Sequence, residues 1–217
     1  MCLRLSLSIL VCLAPIALAA EQSAEIQKLE KAGARVRVDN DLMNEARLRV
    51  SFDSLDDKAA VALRGATHVG SLTVEDASHF TDRSMTILAT LTNLQELNLG
   101  RPGITSTGMS HLKNLKELRK LYLLQATKIY DAGVAYLKDL QHLEELDLSG
   151  SGISNAAAST FKAISTLTMI AVPKTKFGDA GAAELKDMSG LKTLEADVSV
   201  KTAMDLEAAI PGIKIRR

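Results

Sequence analysis

Apolar residues recur along this chain in a short, nearly constant rhythm. Two apolar positions separated by one residue return again and again, preceded in most units by a third apolar position three residues earlier. The first of the paired positions is held by Leu48, Leu72, Leu97, Leu121, Leu146, Ile170 and Leu194, at spacings of 24, 25, 24, 25, 24 and 24 residues. The second is held by Val50, Val74, Leu99, Leu123, Leu148, Val172 and Ala196. Side chains alternate across a strand, so each short run predicts a strand with one buried face.

Five or six residues beyond each run stand Leu55, Phe80, Ile104, Ile129, Ile153 and Phe177, and two after these come Asp57, Asp82, Ser106, Asp131, Asn155 and Asp179. Every member of the last column has a short side-chain oxygen suited to cap a helix, which predicts a helix start in each unit. Six residues further, Leu63, Leu88, Leu112, Leu137, Phe161 and Leu185 fall on a predicted helix face, followed after three by Ala66, Leu91, Leu115, Leu140, Ile164 and Met188. Strand, turn, capped helix and loop therefore repeat in register over six units. A lone unit of this length buries too little apolar surface to offset the entropy of ordering it, so the units must stack and the two ends need covers. Ile26 and Leu29 at helical spacing, Gly33 as a stop and the alternating run from Ala34 to Val38 predict an amino-terminal cap. Met204 to Ile210, then Pro211, Gly212 and the alternation around Ile213 and Ile215, predict a closing helix and strand.

This pattern resembles the leucine-rich repeats, in particular the ribonuclease-inhibitor-like type. Residues 129–150, IYDAGVAYLKDLQHLEELDLSG, are similar to the bacterial variety whose units read V-T-D-A-G-L-x-x-L. The resemblance covers about residues 23 to 215 and is most specific in the middle four units. It implies an α/β, right-handed solenoid with parallel strands on the concave face and helices on the convex face. The family often carries Asn or Cys two residues before the apolar position that follows the strand, bonding to the turn backbone. Here that column reads Asp53, Ser78, Pro102, Thr127, Ser151 and Thr175, and Pro102 offers no side-chain bond, which predicts a less regular turn at that unit.

Residues 1–19 read as an export signal: Arg4, an apolar run from Leu5 to Ala14 too short to span a bilayer, and Ala17, Leu18 and Ala19 as a small-x-small cleavage site. The alternative is an uncleaved amino-terminal anchor. The division of the chain is then signal 1–19, cap helix and strand 20–45, repeats of 24–25 residues over 46–197, and closing cap 198–217. Cleavage removes Arg4 from the 26 basic residues and none of the 26 acidic ones, so the mature charge is about minus one. Both cysteines, Cys2 and Cys12, lie in the signal, so the mature chain holds no disulfide, thiol nucleophile or cysteine metal site. The expected location is periplasmic or extracellular, without membrane insertion after cleavage. Balanced charge, 3% aromatic content and no Trp speak against nucleic acid as a partner.

No constellation of catalytic or ligating residues emerges. His68, His79, His111 and His142 lack the close spacing of a helical metal pair and read as solvated surface residues. Asp57, Asp82, Asp131 and Asp179 read as helix caps one unit apart rather than a calcium ladder. Gly150, Ser151 and Gly152 are faintly similar to a phosphate loop, but lack its lysine and third glycine and occupy the ordinary turn position. The expectation is no enzyme, no cofactor and no metal.

The outward strand positions are the better candidates. One column reads Arg47, Ser71, Glu96, Lys120, Glu145, Met169 and Thr193; the next reads Arg49, Thr73, Asn98, Tyr122, Asp147, Ala171 and Glu195; a third holds Ser51, Glu75, Gly100, Leu124, Ser149, Pro173 and Asp197. An aromatic ring beside an apolar residue, ringed by polar groups, is the composition of an interface hot spot. The expected partner-binding residues are Glu96, Asn98, Lys120, Tyr122, Leu124, Glu145 and Asp147. The leading expectation is an exported, non-catalytic repeat module that binds a protein through its concave strand face. A structural or self-associating envelope repeat protein is the alternative. The resemblance also prompts a third reading, the substrate-recognition subunit of a ubiquitin-ligase-like complex, which the export signal and the lack of room for an adaptor-binding domain oppose.

Overall fold

A computed structural model describes residues 22–39, 41–42 and 47–217. The proposed export signal lies outside the described residues. Nine strands form one open sheet in sequence order: β1 (Arg35–Val38), β2 (Leu48–Ser54), β3 (Val69–Asp76), β4 (Glu96–Gly100), β5 (Lys120–Leu124), β6 (Glu145–Asp147), β7 (Met169–Ala171), β8 (Thr193–Glu195) and β9 (Lys214–Arg216). β1 pairs antiparallel with β2, and every later pair is parallel. Sequential parallel strands require a crossover in each unit, and here it is a short helical segment.

Those segments are α1 (residues 22–31), a 3-10 turn at Ala59–Leu63, α2 (Asp82–Leu88), a 3-10 stretch at Gly108–Asn114, α3 (Asp131–Val134) continuing as 3-10 helix over Ala135–Asp139, α4 (Ala158–Ala163), α5 (Asp179–Ala183) and α6 (Val200–Ala209). The expected full helix in every unit is therefore corrected to a mixture of α and 3-10 turns. A three-residue apolar period runs from the helical segment into the strand. Leu137, Leu140, Leu143 and Leu146 are all fully buried, as are Leu112, Leu115, Leu118 and Leu121. The units with an α-helix keep the same spacing, with Leu88, Leu91, Leu94 and Leu97 equally buried, so the period holds the core in register whichever kind of turn precedes it. All these side chains belong to one hydrophobic cluster running from Leu29 to Ile213.

The first unit differs in register from the sequence alignment. Val50, not Leu48, pairs with Leu72, and Arg49 lies opposite Ser71 rather than Thr73; Leu48 faces Val69 across a register shift. Leu48, Val50 and Phe52 are all buried, so apolar alternation alone fits two registers that differ by two residues.

The Asp column also acts differently from the expectation. Where a side chain caps a helix in these units, it belongs to the residue before the column: Thr81 accepts from the Arg83 amide and Ser154 from the Ala156 amide. The column Asp is the first helical residue at positions 82, 131 and 179 and stands two residues ahead of the 3-10 turn at position 57. Its carboxylate reaches instead into the neighbouring unit. Asp57 accepts the Thr81 amide at 2.9 Å and hydroxyl at 2.6 Å, Asp82 does the same for Thr105 at 2.8 and 2.6 Å, and Asp131 for Ser154 at 2.8 and 2.6 Å. Ser106 accepts the Tyr130 amide, Asn155 those of Gly178 and Gly181, and Asp179 that of Ser199. An unbroken side-chain ladder thus ties each coil to the next.

This ladder explains the glycine of the D-A-G motif. A Cβ at Gly133 would lie 2.8 Å from Ser106 Cα, and one at Gly108 would lie 2.2 Å from the Asp82 carboxylate. The ladder side chain occupies the space that a side chain at that position would need.

The turns after β4, β5, β6 and β7 share one form, Pro102 included. Arg101, Gln125, Gly150 and Lys174 share a left-handed backbone with φ of 52°, 57°, 70° and 58°. The Arg101, Gln125 and Gly150 amides donate to the Leu124, Ser149 and Pro173 carbonyls at 2.7, 2.7 and 2.9 Å. Backbone bonds between units replace the missing side-chain bonds of the turn, so the expected irregularity at Pro102 does not arise.

Candidate functional site

Outward residues of β2 to β8 form the concave columns, because period-two alternation turns the residues between the buried leucines away from the core. Glu96, Lys120, Glu145 and Met169 are neighbours in one row of the sheet, and Asn98, Tyr122, Asp147 and Ala171 in the next. The seven expected partner-binding residues are therefore brought together on β4, β5 and β6, and all are partly exposed.

They are not equally free. Arg49 lies 2.8 Å from Asp39 and 2.6 Å from Glu96, and Lys120 lies 3.8 Å from Glu96 and 3.3 Å from Glu145. The Tyr122 hydroxyl donates to the other oxygen of Glu145. Positive and negative side chains thus alternate across the face, each base held between carboxylates. Burial, followed by the Glu145 bond and the fields of Glu145, Glu96 and Asp147, pushes the Tyr122 phenol well above its ordinary range and keeps it a donor. Asp147 accepts from the backbone amide and hydroxyl of Ser149, which aims one carboxylate oxygen along its own strand end.

The sequence reading missed the Arg49 and Asp39 part of this network because it placed Arg49 in the wrong column. The usable signal was Phe52: a third buried position in β2 admits the shifted register. Leu124 keeps its expected place at the end of β5, half-buried, in the row of Gly100. At β7 the face becomes apolar, with Met169 and Pro173 half-buried and Ala171 buried, and it turns polar again at Thr193 and Glu195 of β8. Tyr122 is half-buried rather than an open ring; the widely exposed tyrosines are Tyr130 and Tyr136, in the helical connection.

The histidines require one correction. His68 is not solvated but only 7% exposed, with Nδ1 2.9 Å from the Glu25 carboxylate of α1. Glu25 also accepts the His68 amide at 3.3 Å, so the pair fastens the amino-terminal helix to the loop before β3. A buried polar group needs such a partner, and position along the chain gave no sign that α1 would supply it.

Comparison with known proteins agrees with this architecture. Residues 139–162 match the family model described as Leucine Rich repeat. No curated protein matches the sequence. Among solved structures the chain is similar to an internalin from Listeria monocytogenes, with 20% identity and a TM-score of 0.53 over 71% of this chain and 49% of that one. It is also similar to a leucine-rich-repeat protein of Leptospira interrogans, with 17% identity and a TM-score of 0.50 over 77% of this chain and 46% of that one. The chain spans about half the length of these proteins. The likeness is one of fold: this chain is an α/β leucine-rich-repeat solenoid.

Proposed function

We propose that this solenoid is a non-catalytic module that binds a protein partner through its concave strand face, and that it acts after export. The observation that carries the reading is the outward surface of β4 to β6, where the Tyr122 ring and Leu124 sit half-exposed among Glu96, Asn98, Lys120, Glu145 and Asp147 on a rigid sheet. Rigid placement lowers the entropy lost on docking, and an amphipathic ring offers contact area together with a fixed polar tip. Glu96, Lys120 and Glu145 are engaged with one another, which suits a preorganised recognition surface better than acid–base chemistry. Export is supported by the n-region, apolar run and small-x-small pattern of residues 1–19.

The test compares affinity capture by wild type, by Tyr122→Ala with Asp147→Lys, and by a Tyr136→Ala control on the helical side. The reading expects a partner enriched by wild type and control and lost from the concave variant, with the thermal melt of all three unchanged. Equal enrichment by a folded concave variant overturns it. Self-association through the sheet ends is the less favoured reading, because β1 carries Arg35 and Arg37 and β9 carries Lys214 and Arg216, and like charges on edge strands oppose their pairing.

A further inference from the structure

We infer that the groove between the 3-10 turn Ala59–Leu63 and α2 binds a small anionic amphiphile: a sulfonate, carboxylate or phosphate carried on an apolar body. The groove encloses about 420 Å³, against about 240 Å³ between α5 and α6 and about 190 Å³ beside Lys162 and Met188, which lie at related places between the helical segments of later units. Its width follows from the fold. The first unit crosses with a single five-residue 3-10 turn, while its neighbour carries a seven-residue α-helix. The volume falls in the range of roughly 300 to 1,000 Å³ that holds small ligands.

The lining sets the ligand's chemistry. Val61, 50% exposed, contributes most of the apolar surface, with the buried Ile87 beneath it in the lining. Lys58, Arg64 and Arg83 surround them. Among the described residues none of these three cations forms an ion pair, in a chain whose 26 basic residues are balanced by 26 acidic ones. The carboxylate in the wall, Asp57, offsets only one of the three charges and forms no ion pair with any of them. Its oxygens are taken by the Thr81 amide and hydroxyl and by the Ser84 hydroxyl, and Arg83 reaches it only through its longer-range field. The smaller grooves each contain an acid of their own, Asp205 or Asp187. An anion entering the wide groove meets an excess of positive charge, three cations against the one carboxylate of Asp57, and an attached apolar body covers Val61.

The experiment titrates the full chain with naphthalene-1-sulfonate, with neutral 1-naphthylmethanol and with inorganic sulfate, following backbone amide NMR shifts. The sulfonate is expected to shift the Val61, Arg64, Arg83 and Ile87 amides and to bind at least about tenfold more tightly than either half of it alone, since charge and apolar contact act together. Arg64→Glu with Arg83→Glu, both exposed and therefore compatible with folding, weakens the sulfonate by about tenfold or more, as does Val61→Asp, while Lys162→Glu in a smaller groove leaves it unchanged. Shifts spread over all the helical segments, or affinity indifferent to the Arg64 and Arg83 reversals, overturn the inference. So does charge-dependent binding of an acidic helical peptide with no response to the sulfonate, which assigns the groove to a macromolecule instead.

Discussion

The carboxylate of Asp82 accepts both the backbone amide of Thr105, at 2.8 Å, and its hydroxyl, at 2.6 Å, across the boundary between two repeat units. Asp57 with Thr81 and Asp131 with Ser154 reproduce the contact. One side chain therefore satisfies the otherwise unpaired amide at the start of the next unit's helical segment and fixes the distance between coils. Stacking, which the apolar core drives without direction, gains its register from these bonds.

Asp131→Ala leaves the Ser154 amide without its partner. The expected loss is about 1–3 kcal/mol in urea unfolding, the ordinary cost of orphaning a partly buried donor. Asp131→Asn keeps one acceptor oxygen and should recover part of it; an Asp131→Ala variant as stable as wild type removes the ladder from the account.

Acid should loosen the stack. Burial by itself raises the Asp57 carboxyl, but the Ser84 and Thr81 donors outweigh it, and the Ser199 amide followed by Thr202 lowers that of Asp179. A carboxyl lowered in the folded state contributes stability that is fully present above its unfolded value of about 3.9 and is lost as pH falls through the folded value. Unfolding free energy should thus be insensitive to these groups near neutrality and decline as pH drops below about 4. Asp57→Asn should flatten that part of the profile.

Gly133→Ala offers a test whose sign is informative. Helix propensity alone favours alanine over glycine by about 1 kcal/mol. The Cβ, however, would stand 2.8 Å from the Ser106 backbone, which cannot yield without shifting a coil. Destabilisation by about 1–3 kcal/mol is expected from such overpacking. A rise in the melting temperature would show that the close approach between these coils does not constrain the motif.

Ser151→Ala should stabilise the protein slightly. The Ser151 hydroxyl is buried without a hydrogen-bond partner among the described residues, and directly after the left-handed turn residue, where Ser151 follows Gly150, the neighbouring units hold Ala126 after Gln125 and Thr175 after Lys174. Thr175 satisfies its hydroxyl on the Val172 carbonyl at 2.6 Å. Removing the unpaired group should add up to about 1 kcal/mol, read from the denaturation midpoint at constant slope.

Much of the candidate surface was legible because strand alternation is local. Once Leu97, Leu121 and Leu146 are assigned to the core, Asn98, Tyr122 and Asp147 must face the other way. The pairing among them was not legible, since it depends on which residues become neighbours across strands. Arg49 shows the difference. Its face followed from parity, yet its partner Glu96 stands 47 residues away and became apparent only with the shifted register of β2. The open groove beside Val61 was equally hidden, because its width depends on the relative lengths of two helical segments.

By itself the sequence determined the repeat, its period and its buried leucines, because these follow from spacings of two and three residues that local geometry converts directly into faces, while the parallel order of strands was implied by the resemblance that the repeat carries. Tertiary structure decided what the polar side chains do. Whether Asp82 caps its own helix or bonds the next coil, and whether His68 meets water or Glu25, depends on which chain segments are brought within about 3 Å, the reach of a hydrogen bond. Such proximity is a product of stacking, and no pattern within a single unit encodes it.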